Sequence, residues 1–177
     1  MTRAAQPAHP WIVIGLILMG IVARLVPHPP NATPLMAIAL FGGTYLSKRW
    51  AIFLPLVIVV LSDALIGWHN TMLFSWGAFV LTGMLAWWVR KRPGVWRILA
   101  AALSGSVLFF VITNFGVWVA GGLYPSTLDG LHQCFVAAIP FFRNTLLGDL
   151  IYTTAFFGGY ALVTGAALAR QADRSSP

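Results

Sequence analysis

Two aspartates stand where an apolar sequence should exclude them. Asp63 lies in the hydrophobic run 51–67 and Asp149 in the run 142–169. A charged side chain at the centre of a membrane-spanning helix costs about 2.5–3.5 kcal/mol on insertion scales. Such a group persists when it is paired, hydrated or in contact with a ligand. The chain has four acids in all, and the other two, Asp129 and Asp173, fall outside the apolar runs. Two arginines, Arg24 and Arg143, lie at similar depth to the buried acids. The expectation is a charge network of Arg24, Asp63, Arg143 and Asp149, with the pairing between them left open. It would either fix helix register or contact a bound solute.

Other polar residues gather on the same side. His28 and Asn31 follow Arg24, and His69 follows Asp63. Asn114 and Trp118 lie near the end of the fifth apolar run, Tyr124 lies beyond it, and Asn144 is next to Arg143. Together with the two acids and two arginines these are the candidate substrate-binding residues. Trp68, Trp76, Phe141 and Phe142 would ring the same face, as an interfacial belt or as apolar walls of a pocket. His28, His69, His132 and Cys134 could ligate a transition metal. No HxxxH or CxxC spacing supports a metal centre, so none is expected. Ser62 adjoins Asp63, but no GxSxG elbow surrounds it, and no catalytic set is visible. The reading is therefore non-enzymatic, with no resident cofactor.

The elements that must carry these residues follow from composition. Of 177 residues, 59% are hydrophobic and only 8% charged, against about 25% charged in a soluble domain. Lipid must be the solvent for much of this surface. A net charge of +7 does not signal nucleic acid, because the basic residues sit in short clusters between apolar runs. No Walker-type glycine loop is present.

Six apolar segments can be read: residues 11–26, 34–46, 51–67 with a kink at Pro55, 72–89, 95–120 and 142–169. The second is too short to cross a hydrocarbon core about 30 Å thick, so it should tilt, extend or re-enter. Residues 121–141 read as a long irregular loop. With the N-terminus inside, nine of the eleven Lys and Arg residues fall on the cytoplasmic side, the exceptions being Arg24 and Arg143. This asymmetry predicts an N-in, C-in topology. The expected architecture is all-α: a polytopic membrane bundle of about six transmembrane helices. It forms a single integral domain over residues 1–177, with tails 1–10 and 171–177 in the cytoplasm. The implied location is the bacterial inner membrane.

Several strings resemble a family of small uncharacterised bacterial membrane proteins. They are Arg24-Leu-Val-Pro-His-Pro-Pro-Asn31, Ala39-Leu-Phe-Gly-Gly43, Ser62-Asp63 with Gly67-Trp-His69, Thr113-Asn-Phe-Gly-Val-Trp118, Tyr124-Pro125 and Ala138-Ile-Pro-Phe-Phe-Arg-Asn-Thr-Leu-Leu-Gly-Asp149. More distantly, the layout resembles the substrate-binding (S) subunits of energy-coupling-factor vitamin transporters. The proline-rich first loop, Gly42-Gly43 and Asp63 carry that likeness. The run 11–26 departs from it, because it lacks the Ala-xxx-Ala motif that docks a scaffold subunit.

The distant resemblance implies capture of a small solute on the extracytoplasmic side, such as a vitamin or cofactor precursor, with an ATPase-scaffold module as possible partner. A corrinoid is one candidate, with His28, His69, His132 or Cys134 as cobalt ligand. The loops 27–31 and 121–141 would act as lids. The alternatives are a small structural or assembly protein with a purely structural charge network, and an intramembrane enzyme.

Overall fold

The computed structural model describes residues 10–175, with side chains up to residue 166. Among the described residues the chain is helical, without strands. The elements are α1 (Pro10–Leu25), α2 (Leu35–Phe41) continued by a π-helical turn (Gly42–Leu46), α3 (Trp50–Ile66), α4 (Met72–Gly83), α5 (Leu85–Lys91), α6 (Val95–Ala120) and α7 (Leu128–Ser175). Helices α4 and α5 form one pass, broken at Met84. Three spans are long and apolar enough to cross a membrane: Met72–Lys91, Val95–Ala120 and Leu128–Ala166. The apolar helices Pro10–Leu25, Leu35–Leu46 and Trp50–Ile66 are shorter.

Short connections force consecutive passes to run antiparallel. One end of the bundle therefore gathers residues 26–34, 67–71 and 121–127. The other end gathers the connections that carry Lys48, Arg49 and Arg92. Around the bundle, α1 packs on α3, α3 on α4, α4 on α6 and α6 on α7. Helix α2 fills the axis and touches every other helix. Its sequence, LMAIALF, is apolar on all sides, so no face suits water, and Leu35 through Leu40 are buried completely or nearly so. The short second segment is thus a central strut, enclosed by protein.

Small residues and one proline set how closely the helices approach. Pro55 has no N–H to give the carbonyl of Ala51, one helical turn earlier. That same oxygen occupies the place where a Cβ on Gly83 would sit, so only glycine lets α4 meet α3 there. A Cβ on Gly43 would meet the methyl groups of Ala51 and Ala86, and one on Gly105 would meet the sulfur of Met36. The π-helical turn is latched from α5: Arg90 Nη1 donates to the carbonyls of Thr44 at 2.9 Å and Gly43 at 3.3 Å. A cation on the carbonyls that end a helix also complements its dipole.

The bundle is apolar outside and partly polar inside. Leu18, Phe53, Leu61, Leu73, Val107, Val136 and Leu147 are exposed, whereas Thr44, Ser62, Asp63, Thr82, Ser106, Thr145, Asp149 and Thr153 are buried. This inverts the arrangement of a water-soluble protein and suits lipid as the surrounding solvent.

One expectation needs correction. Residues 121–141 do not form a long irregular loop: only 121–127 are non-helical, and α7 starts at Leu128 with Pro140 inside it. Gly130, Cys134 and Ala138, spaced by four, are buried, and Phe135 packs edge-on against Phe110 of α6 at 5.4 Å. The stretch is a wall of the bundle and not a loose lid.

Candidate functional site

At the end that holds the proline-rich connection, the helices part around two adjoining chambers. The first, about 310 Å³, is lined by Arg24, His28, Asn31, Thr33, His69, Ser75, Thr145 and Asp149, with Leu35, Met36, Val59, Ile66, Phe79 and Phe109 as apolar walls. The second, about 330 Å³, is lined by Asn31, Thr71, Ser75, Thr113, Asn114, Tyr124 and Cys134 among apolar groups. Asn31, Ser75 and Phe109 border both. Each volume sits at the lower end of the range for small-molecule pockets.

The two buried acids have different surroundings. Asp63 is fully engaged: Oδ1 accepts from Arg24 Nη2 at 2.7 Å, and Oδ2 accepts from Trp76 Nε1 at 2.7 Å. Arg24 Nη1 also donates to Ser62 Oγ at 2.8 Å, and Ser62 in turn donates to the carbonyl of Ile58 at 2.6 Å. Asp63 lies behind Arg24 and does not line either chamber. Arg24 does line the first, with its Nε–H and one Nη2 hydrogen unspent by these bonds.

Asp149 has no cationic partner among the described residues. Its Oδ2 accepts from Ser106 Oγ at 2.7 Å, and Ser106 also reaches the carbonyl of Ala102 at 3.0 Å. Among the described residues the Arg24–Asp63 bridge is the one salt bridge. Asp149 is 4% exposed and forms part of the chamber wall.

The four-member charge network therefore does not exist. Arg143 is exposed and makes no ion pair among the described residues. With 3.6 residues per turn it points about 120° away from Asp149, six residues further on. Asn144 is rotated about 140° from Asp149 by the same count and lines neither chamber. Trp118 also stands outside both: its Nε1 donates to the carbonyl of Pro125 at 3.0 Å and ties the α6–α7 connection together.

The remaining candidates do line the chambers. His28 and His69 face the first, held at Nδ1 by the carbonyl of Pro29 at 2.8 Å and by Thr71 Oγ1 at 2.9 Å. Asn31 has φ 64°, a left-handed conformation that Asn adopts more readily than most residues. It stands at the junction of the chambers. Asn114 Nδ2 donates to the carbonyl of Phe110 at 2.7 Å, which leaves its amide oxygen free of that bond in the second chamber. Cys134 is buried with its thiol 3.4 Å from the carbonyl of Asn114.

The proposed cobalt ligands do not converge. His132 is exposed and lines neither chamber, His28 and His69 face the first, and Cys134 faces the second. Among the described residues no three His, Cys, Asp or Glu side chains form a metal-binding group.

Ser106, Thr145, Ser75 and Trp76 are site residues that the sequence reading did not single out as such. Ser106 reads as one more small packing residue and Trp76 as part of an interfacial belt. Thr145 was legible: it stands four residues before Asp149, on the same helix face.

No curated protein and no solved structure matches the chain. The sequence model of one family matches residues 5–172, and the chain belongs to that family, DUF6580, a family of unknown function.

Proposed function

We propose that this is a multi-pass membrane protein that captures a small solute in the two adjoining chambers, as a transport-type protein. The observation that carries the reading is an interior hollow walled by Arg24 and Asp149, inside a bundle whose outer surface is apolar. Intramembrane ionisable groups that face a cavity are the usual mark of a substrate or ion pathway. The clustering of Lys48, Arg49, Arg90, Lys91, Arg92 and Arg97 at the opposite end supports six passes with that end in the cytoplasm. The chambers then open on the extracytoplasmic side of the inner membrane. The connection 26–34 is the element best placed to cover them, since Ala32 packs against Gly148 of α7.

The likeness to energy-coupling-factor S subunits is part of this proposal and rests on sequence layout alone. It would add an ATPase-scaffold module as partner. The chamber size argues against a corrinoid, whose macrocycle and side chains exceed either chamber.

The test is solvent extraction of protein purified in lipid nanodiscs, with mass spectrometry of the extract. Ser75 borders both chambers, so Ser75→Trp should fill their junction and remove a small molecule that co-purifies with the wild-type chain. Identical extracts from the two proteins would refute capture at this place. The structural-protein reading predicts that identity.

A further inference from the structure

The charges around the first chamber do not balance, and the imbalance points to the class of solute. Arg24 and Asp63 cancel each other at 2.7 Å. Arg24 therefore offers the chamber hydrogen-bond donors without an uncompensated positive charge. Asp149 has only the hydroxyl of Ser106 as partner, and a hydroxyl supplies a hydrogen bond but no counter-charge. The histidines at the rim, His28 and His69, are already engaged at Nδ1. An anionic solute would enter a chamber whose one arginine is already neutralised by Asp63 and whose buried wall holds a carboxyl group without a counter-ion. A cationic solute supplies the missing counter-charge.

We infer that the solute is an organic cation whose protonated nitrogen pairs with Asp149 while a neutral acceptor on the same molecule takes the spare N–H groups of Arg24. This inference rests on the capture reading above and adds the charge class of the ligand. A charge-assisted bond to a carboxylate is about twice as strong as a neutral one, and Asp149 is itself largely shielded from the water that would weaken it. The apolar remainder of the molecule would lie along Phe79 and Phe109, and Phe109 also borders the second chamber.

The experiment uses the full chain in lipid nanodiscs and two probes. One is the small-molecule fraction of a bacterial lysate. The other is a matched set of phenethylamine, phenylalanine and phenylpropionate, which share a skeleton and differ in charge. Native mass spectrometry reads what is retained. The expected result is that retained compounds carry a cationic nitrogen and no net negative charge, and that Asp149→Asn lowers their retention by about tenfold or more, as loss of one charge-assisted bond would. The wild-type chain supplies a second readout independent of how the variant folds. Bound compound should slow carbodiimide modification of Asp149 and leave modification of the exposed Asp129 unchanged.

Retention of anions, or of compounds without a cationic nitrogen, would overturn the inference and leave the capture reading standing. So would retention that Asp149→Asn does not alter, or bound compound that gives Asp149 no protection. A wild-type protein that retains nothing from either probe would overturn both.

Discussion

Replacing Asp63 by Asn leaves Arg24 charged and without its counter-ion. In the native chain both carboxylate oxygens are used, one by Arg24 and one by Trp76. An Asn side chain keeps one acceptor oxygen, and its amide nitrogen must face one of those two donors whichever way it turns. Breaking one side of a buried ion pair costs about 3–5 kcal/mol. The Arg24 side chain retains 20% of its exposure, and this partial hydration lowers the expected loss to about 2–3 kcal/mol.

Arg24→Gln strands the opposite charge. Asp63 is only 3% exposed, so the expected loss is larger, about 3–4 kcal/mol. The double variant holds no uncompensated charge and should lose no more than the worse single variant. That gives a coupling of about 2 kcal/mol. Reversible unfolding in mixed micelles, followed by tryptophan fluorescence, measures all three variants. Losses that add to within about 0.5 kcal/mol would show two independent contributions and refute the account of the pair.

Other expectations follow from packing and exposure. Gly83→Ala should cost about 2 kcal/mol or more, because its methyl group would overlap the Ala51 carbonyl. Gly77→Ala has open space around it and should be neutral or stabilising by up to about 1 kcal/mol; melting curves of the two variants make the comparison. Arg143→Ala should change stability by less than about 0.5 kcal/mol, since the side chain is exposed and unpaired; equal losses for Arg143→Ala and Arg24→Ala in the same unfolding assay would contradict the geometry. Cys134 is the one cysteine of the chain and lines the second chamber, so a small impermeant thiol reagent should reach it from outside intact cells. Labelling confined to inside-out vesicles would reverse the proposed orientation.

The helical character, the apolar segments and the gathering of polar groups at one end were legible in the sequence, because each follows from residue type and position along the chain. What was missed depends on rotation about a helix axis. Arg143 and Asp149 lie at similar depth, and depth alone joined them into one network. The angle of 100° per residue was enough to separate them. The start of α7 was missed because Asp129, His132, Gln133 and Pro140 interrupt its hydropathy, although Gly130, Cys134 and Ala138 recur at helical spacing. The choice of Arg24 for Asp63, with Trp76 as third member, depends on how α1, α3 and α4 slide past one another. Nothing local to any one helix encodes that register.

The enclosed position of α2 has a consequence for how the chain is made. Ribosomes deliver this strut second, yet the helices that will hide it, α6 and α7, are synthesised last. With twelve residues from Leu35 to Leu46, about 18 Å of helix even at ideal rise, it cannot bridge a bilayer unaided. Biogenesis therefore passes through a stage in which the future centre of the molecule is only partly enclosed by protein, and final assembly waits for the last hairpin to close over it.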